Sequence, residues 1–270
     1  MSFEGKVAVI TGAASGIGRA LSIALARRGA DLAIADLDER GLEETRGAIE
    51  NLGRRVLAQK LDVADRAGFE AFRDDTLERF GRADIVVNNA GVAVADTILE
   101  SRYEDWEWIV GINFWGVVHG TKAFLPHFVE RGSGSIVNVS SVFGLVAVPT
   151  QGLYNATKFA VRGMTEALRH ELEGTGVHVA CVHPGGIDTR IAANARFYQG
   201  PTGLRDQKES VANFKRIART SPEKAAEIII RGIERKEPRI LIGADARLID
   251  WVQRVLPRRY WELMGRGMRA

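Results

Sequence analysis

The sequence predicts a single-domain α/β fold, doubly wound, with a seven-stranded parallel sheet flanked by helices on both faces. Short apolar segments rich in β-branched residues alternate with helical patterns along most of the 270 residues. Glycine-rich or polar motifs follow several of these segments, and sheets of this type bind ligands at the carboxyl ends of their strands. A chain of this length can bury one large core, so we expect one domain.

Composition and charge argue against several classes of protein. The net charge is +3, and basic residues are mixed with acidic ones until the last turns of the chain, so we expect no nucleic-acid partner. The single cysteine, Cys181, cannot form a disulfide within the chain. His178 and His183 have no partner at metal-ligand spacing, so we interpret both as structural and expect no metal. No segment has the signature of a secretion signal or membrane span, which favours a cytoplasmic protein.

The first predicted strand, residues 6–10, leads into a turn with the spacing Gly-x-x-x-Gly-x-Gly and then into a helix that ends near residue 28. The three glycines are Gly12, Gly16 and Gly18. Glycine allows the backbone to approach a pyrophosphate, and the amides at the start of the helix attract the anion. The same glycines would also suit a simple tight turn, but their position between strand and helix favours phosphate binding.

The second strand, residues 31–35, ends at Asp36, close to the offset at which an acidic residue meets the adenosine ribose. A 2′-phosphate would face this carboxylate, and neither Leu37 nor Ala14 offers a compensating cation, so Asp36 favours NAD over NADP. Alternatively, Asp36 caps the helix that starts near Asp38. The two roles are compatible.

Two more strands, residues 55–61 and 84–87, end at Asp62-Val63 and at Asn88-Asn89-Ala90-Gly91. A long helical pattern from about residue 102 to 129 follows. Asn113 lies in the middle of this mostly apolar helix, where an amide either finds a buried partner or marks a site. The sequence leaves both alternatives open.

The fifth strand, residues 135–139, is followed by Ser140 and Ser141, of which only one can point at the next helix because side chains alternate along a strand. That helix is predicted after Pro149 and carries Tyr154 and Lys158 one turn apart on one face. A cation beside a phenol favours the phenolate. A lone Tyr-x-x-x-Lys pair is weak support, since a half-buried aromatic and a surface lysine have the same spacing.

The sixth strand, residues 177–182, precedes a Pro-Gly-Gly turn that lets a ligand approach the backbone. Residues 190–219 lack clear periodicity and are predicted to be a substrate lid or a disordered loop. A helix over 222–235 and a strand over 239–242 complete the sheet. The tail from residue 246 combines an apolar face with arginines that include Arg266 and Arg269; it would suit a membrane surface, although packing on a partner subunit is favoured.

Taken together, these motifs resemble the classical short-chain dehydrogenase/reductase family, which has a Rossmann-like fold, over about residues 4–245. The family spacing selects Ser141 over Ser140. The resemblance implies that Tyr154 is the general acid/base, that Lys158 lowers its pKa and binds the nicotinamide ribose, that Ser141 polarises the substrate oxygen and that Asn113 holds a water in a proton relay. The implied cofactor residues are Gly12, Ser15, Gly16, Ile17, Gly18, Asp36, Asp62, Val63, Asn89, Ala90, Gly91, Tyr154, Lys158, Pro184, Gly185, Ile187 and Thr189.

The expected function is therefore an NAD(H)-dependent oxidoreductase that interconverts a secondary alcohol and a ketone. The alternatives are an NADP(H)-dependent ketoreductase and a dinucleotide-sensing module without turnover. The expected pocket is apolar and favours a small lipophilic substrate; its residues are Val92, Val94, Val142, Phe143, Val148, Gln151, Gly186, Phe197 and Tyr198. We expect a catalytic domain over 1–245, a helical tail over 246–270 that belongs to the same domain, and a homotetramer or dimer formed through helices 102–129 and 152–172.

Overall fold

The computed structural model describes residues 3–200 and 203–269. Its main sheet has seven parallel strands: β1 (Val7–Thr11), β2 (Asp31–Asp36), β3 (Val56–Lys60), β4 (Ile85–Asn88), β6 (Gly134–Val139), β7 (Val177–Pro184) and β9 (Arg239–Ile242). Their order across the sheet is β3-β2-β1-β4-β6-β7-β9. A second parallel sheet, which the sequence did not predict, pairs β5 (Val94–Ala95) with β8 (Arg196–Phe197).

Helices cover both faces of the main sheet. They are α1 (Gly16–Ala26), α2 (Glu39–Glu50), α3 (Arg66–Phe80), α4 (Tyr103–Val110), α5 (Gly116–Arg131), α6 (Gly152–Glu171), α7 (Gln207–Ile217), α8 (Pro222–Glu234), α9 (Ala244–Val255) and α10 (Tyr260–Arg269). Side chains of α1, α2 and α8 form the core on one face, and those of α3, α5 and α6 form the core on the other. The doubly wound α/β fold predicted from the sequence is thus confirmed.

The alternation of side chains along β1 shows why the central strands are almost continuously apolar. Ala8 and Ile10 belong to the core beneath α1, whereas Val7 and Val9 belong to the core beneath α3. Strands covered on both faces need apolar residues at every position. Because β1 lies between β2 and β4, the chain winds outward in both directions, and a crevice opens beyond the carboxyl ends of β1 and β4.

Two segments differ from the sequence-based expectations. The predicted helix over 102–129 is continuous but contains a π-helix, Gly111–Trp115, between α4 and α5. The segment 190–219 is not wholly irregular, since its described residues contain β8 and α7. None of the side chains of α7 is fully buried, so this helix lies on the surface of the domain.

The tail forms α9 and α10, while Ala270 lies outside the described residues. The side chains of Arg266 and Arg269 also lie outside the described part of the chain. None of the helices over residues 3–200 and 203–269 combines the length and the hydropathy needed to cross a bilayer. The same residues contain no cluster of His, Cys, Asp and Glu that would suit a metal ion.

Candidate active site

The glycine-rich turn after β1 is packed too tightly for any other residue. Gly12 and Gly16 have positive φ angles of 68° and 54°. A Cβ on Gly12 would lie 2.8 Å from Ala90 Cα, and a Cβ on Gly18 would lie 2.1 Å from the Gly12 carbonyl oxygen. Ser15 precedes α1 without making a side-chain cap, so the first amides of α1 have no side-chain partner there. The turn is therefore a narrow backbone cradle at the start of a helix.

The carboxylate of Asp36 lies beside this cradle at the end of β2. It accepts hydrogen bonds from the Ala14 amide at 2.9 Å and from the Asp38 amide at 3.0 Å. Asp38, rather than Asp36, caps α2, since its side chain accepts from the Gly41 amide. Asp36 therefore does not cap α2; its carboxylate is held against the glycine turn.

The Asn-Asn-Ala-Gly motif after β4 is hydrogen-bonded to the end of β1. Thr11 Oγ1 accepts from the amides of Asn89 and Ala90 at 3.1 Å, and Asn89 Nδ2 donates to the carbonyls of Thr11 and Gly12 at 2.9 and 3.2 Å. Asn88 points the other way, into a buried network in which it donates to Asn138 at 2.8 Å. Sequence reasoning missed the role of Thr11, although its position directly before Gly12 is a usable signal.

The side-chain amide of Asn113 is buried and hydrogen-bonded to Val92 and Thr157. Its Oδ1 accepts from the Val92 amide at 2.8 Å, and its Nδ2 donates to the Val92 carbonyl at 2.9 Å and to Thr157 Oγ1 at 3.2 Å. A Cβ on Gly91 would lie 3.2 Å from Asn113 Oδ1 and 3.4 Å from Lys158 Nζ. The amide of Asn113 therefore holds the Gly91-Val92 segment beside Lys158.

The two serines after β6 point in different directions, as strand alternation requires. Ser140 Oγ donates to the Lys158 carbonyl at 2.8 Å and is buried behind α6. Ser141 Oγ accepts from the Phe143 amide at 3.1 Å, and the Ser141 side chain lies close enough to the Tyr154 phenol to lower its pKa. The structure therefore pairs Ser141, and not Ser140, with the phenol of Tyr154.

Burial controls the protonation of Tyr154 and Lys158, which lie one turn apart near the start of α6. It raises the pKa of Tyr154 to about 12, against a smaller lowering by the Ser141 hydrogen bond. It lowers the pKa of Lys158 to about 8. Lys158 Nζ donates to the Val139 carbonyl at 3.0 Å and lies 5.6 Å from the centre of the Tyr154 ring. The pKa of Tyr154 thus moves opposite to the direction expected from the sequence, because desolvation exceeds any effect of the cation.

The turn after β7 brings further predicted residues to the crevice. A Cβ on Gly16 would lie 3.1 Å from Thr189 Cγ2, so Thr189 contacts the glycine turn. Gly185 donates to the Ile242 carbonyl at 2.9 Å, which continues the line of β7, and Ile187 is buried. Asp62 lies farther out at the end of β3, where its carboxylate accepts from the Ala64 amide at 2.9 Å.

A group of charged and aromatic side chains, which sequence reasoning missed, fastens the segment after Thr189 to α4. We call it the Asp105 clasp; it consists of Asp105, Arg102, Arg196, Trp108 and Tyr198. Fully buried Asp105 accepts from Arg196 at 2.8 Å and from Arg102 at 3.1 Å. Arg196 also stacks on the Trp108 ring at 3.7 Å, and Arg102 donates to the Tyr198 hydroxyl. Burial raises the pKa of Asp105, but these hydrogen bonds outweigh it and hold the pKa below its usual value.

The expected pocket residues lie in several different surroundings. Val92, Val94 and Phe143 pack with Tyr154 in one apolar cluster. Val148 belongs to an apolar depression of about 410 Å³ that Trp261 of α10 helps to line. The backbone of Gln151 forms an isolated β-bridge with that of Asp96. Phe197 and Tyr198 belong to the segment held by β8 and the Asp105 clasp. The remaining two are Val142, which is buried, and Gly186, which donates to Asp245 at 2.6 Å.

Comparison with known proteins gives one consistent result. A family model described as short chain dehydrogenase matches residues 6–199. SadH of Mycobacterium tuberculosis is 46% identical over 99% of this chain and 96% of its own length. The 3-oxoacyl-[acyl-carrier-protein] reductase FabG of Thermotoga maritima is 34% identical over 85% of this chain and 91% of its own. A crystal structure of a short chain dehydrogenase/reductase from Burkholderia phymatum in complex with NAD has 32% identity, covers 94% of both chains and has a TM-score of 0.84.

Proposed function

The chain belongs to the short-chain dehydrogenase family, and from its site we propose that it interconverts a secondary alcohol and a ketone with NAD(H) as the hydride carrier. The observation that carries the proposal is the pairing of Ser141 with Tyr154 beside the Gly91 backbone and Lys158. A hydroxyl pair that can bind one oxygen atom, next to a dinucleotide cradle, suits proton transfer coupled to hydride transfer.

The residues that line the crevice suit a dinucleotide. A Cβ would clash with the backbone at Gly12 and Gly18, Gly16 has a positive φ, and the first amides of α1 are available to a pyrophosphate. Asp36 would bind the adenosine ribose, and Thr189 lies against the same turn. We propose the remaining cofactor contacts at the residues that the family resemblance implies. The relative from Burkholderia phymatum, which was crystallised with NAD, supports this choice.

When bound, NAD supplies the two-electron acceptor for the reaction; the protein supplies the proton chemistry. With a pKa of about 12, the Tyr154 phenol is neutral near pH 7 and ready to donate its proton to a ketone oxygen. Ser141 would donate a second hydrogen bond to that oxygen as negative charge develops on it. In the opposite direction, Tyr154 must first ionise, so alcohol oxidation should accelerate with rising pH, whereas ketone reduction should not.

Lys158 and Asn113 have supporting roles in this proposal. The ammonium of Lys158 is held at the Val139 carbonyl and reaches the Gly91 backbone, where it would bind the nicotinamide ribose. Both amide atoms of Asn113 are engaged with Val92 and Thr157. A water in a relay to Lys158 would therefore bind the main-chain carbonyl of Asn113 rather than its side chain.

Two alternatives make different predictions. An NADP(H)-dependent ketoreductase would need a cation near the 2′-phosphate, and the carboxylate of Asp36 occupies that side of the glycine turn. A sensing module without turnover would not need the buried Ser141-Tyr154 pair. The apolar cluster around Tyr154 favours a lipophilic substrate over a sugar or carboxylate. We further propose that residues 190–219 close over this substrate, that the tail belongs to the catalytic domain, that the protein is a cytoplasmic homo-oligomer, and that no metal takes part.

The test combines cofactor binding with turnover. Protein fluorescence on titration with NADH and with NADPH measures binding, and loss of nicotinamide absorbance with a panel of ketones measures reaction. Tyr154→Phe should keep NADH binding and lower turnover by about 10²–10⁴, the contribution of a positioned proton donor. Tyr103→Phe is the matched control, because Tyr103 is 82% exposed on α4. Undiminished turnover in Tyr154→Phe would refute the assignment, and NADH binding without any turnover would favour the sensing module.

A further inference from the structure

The positive charge of the protein is concentrated in its tail. Residues 244–270 contain six arginines, three acidic residues and no lysine, which is a net charge of +3 and equals that of the whole chain. The preceding 243 residues are therefore neutral overall, with basic and acidic residues in balance. A charge asymmetry of this kind directs one face of a protein towards an anionic partner.

The same tail exposes an apolar stripe along α9. Leu248, Trp251 and Val255 lie on one side of the helix and are 61%, 61% and 54% exposed. The opposite side is anchored, because Ala246 is buried and Asp250 accepts from Arg239 of β9 at 2.8 Å. The stripe is thus held outward by the fold and is not a frayed end of the chain.

Arginines border this stripe. Arg247 and Arg254 project from one edge of α9, about 80° from the middle of the stripe, and Arg258 follows the end of the helix. Arg254 is paired with Asp250 at 3.0 Å. Among the described residues, no carboxylate is within ion-pair distance of Arg247 or Arg258. Leu263 of α10 adds a further apolar side chain that is 51% exposed.

We propose that this face of α9 docks on an anionic lipid surface, with Leu248, Trp251 and Val255 entering the headgroup region and the arginines contacting lipid phosphates. An apolar stripe with a basic edge is the pattern of helices that lie in a bilayer interface, and tryptophan is enriched at that depth. The sequence favours a partner subunit for the tail. However, a two-fold contact between copies would bring this basic face against itself, whereas anionic lipid complements its charge.

Co-sedimentation of the full chain with phosphatidylcholine vesicles, with and without about 30% phosphatidylglycerol, tests the proposal. We expect binding at least about tenfold tighter to the anionic vesicles, lost in about 1 M salt. Leu248→Ser/Trp251→Ser and Arg247→Gln/Arg258→Gln should each weaken binding about tenfold. Leu52→Ser and Arg40→Gln are the matched controls, since both side chains are exposed outside the tail.

Two results would overturn the proposal. The first is equal or no binding to the two vesicle types by the unmodified chain. The second is a fall in oligomer mass of Leu248→Ser/Trp251→Ser in light scattering, which would show that a second copy covers the stripe. The arginine variant keeps the test valid if the serine variant fails to fold, because Arg247 and Arg258 have solvent-exposed side chains.

Discussion

Replacing Asn113 with aspartate is a sharp test of how the Gly91-Val92 segment is held. Asn113→Asp keeps the acceptor for the Val92 amide at 2.8 Å but removes the donor to the Val92 carbonyl at 2.9 Å. Because the side chain is fully buried, the new carboxylate would face a carbonyl oxygen without water. We expect the free energy of unfolding to fall by about 3–4 kcal/mol at pH 8.

The pH dependence separates this cause from a simple loss of packing. The carboxyl of the variant should have a raised pKa in the folded state, because its neutral form regains a donor for the Val92 carbonyl. A raised folded-state pKa stabilises the protein at low pH, and the stabilisation is lost as pH rises through that pKa. The penalty of Asn113→Asp should therefore shrink between about pH 8 and pH 5.

Urea denaturation of the unmodified chain and the variant at a series of pH values measures the effect. Asn51→Asp, at the exposed end of α2, is the control; the helix dipole disfavours the new charge there, but the cost should stay below about 1 kcal/mol and not vary between pH 8 and pH 5. NADH should bind Asn113→Asp more weakly at pH 8, because the backbone beside Lys158 is no longer held. A penalty below about 1 kcal/mol, or one that does not vary with pH, would refute the reasoning.

Three further predictions concern other parts of the molecule. Asp36→Asn removes the negative charge beside the glycine turn, and fluorescence titration should show the ratio of NADPH to NADH affinity shifted about tenfold towards NADPH. An unchanged ratio would show that Asp36 does not select the cofactor. Arg196→Ala leaves the buried carboxylate of Asp105 with one arginine and should lower stability in urea by about 2–3 kcal/mol, partly restored by Arg196→Lys. Because Arg196 holds the segment proposed to close over the substrate, KM should rise by more than kcat falls; equal effects on both constants would contradict this role. Burial raises the pKa of Asp84, but hydrogen bonds and nearby cations outweigh it and hold the pKa below its usual value. The stability that this carboxylate contributes is therefore lost as pH falls below about 4. In Asp84→Asn, the free energy of unfolding in urea should fall less steeply below that pH.

Much of the fold could be predicted because its signals are local. Most strands of the main sheet are short apolar runs, and the polar and glycine-rich motifs follow strand ends, so the position of the crevice could be predicted from the sequence. The choice of Ser141 over Ser140 agrees with the side chains that the structure brings together.

The features that were missed depend on contacts between distant residues. The sheet of β5 and β8 has two residues in each strand, too few for any periodic pattern. The Asp105 clasp joins residues 91 positions apart in the chain, and charged side chains on a helix usually suggest a solvated face. The raised pKa of Tyr154 depends on burial, which the order of residues near it does not reveal.

The π-helix between α4 and α5 sets how far α4 is rotated relative to α5 about their common axis. The Gly116 amide bonds to the Gly111 carbonyl, five residues earlier, so the turn contains one residue more than an α-helical turn. Winding the same residues as a regular α-helix would rotate everything before this turn by about 100°. Asp105 and its partners on α4 would then face away from the segment after Thr189 that they hold. The single π-helical turn therefore sets the direction in which Asp105 faces, although none of its residues belongs to the Asp105 clasp.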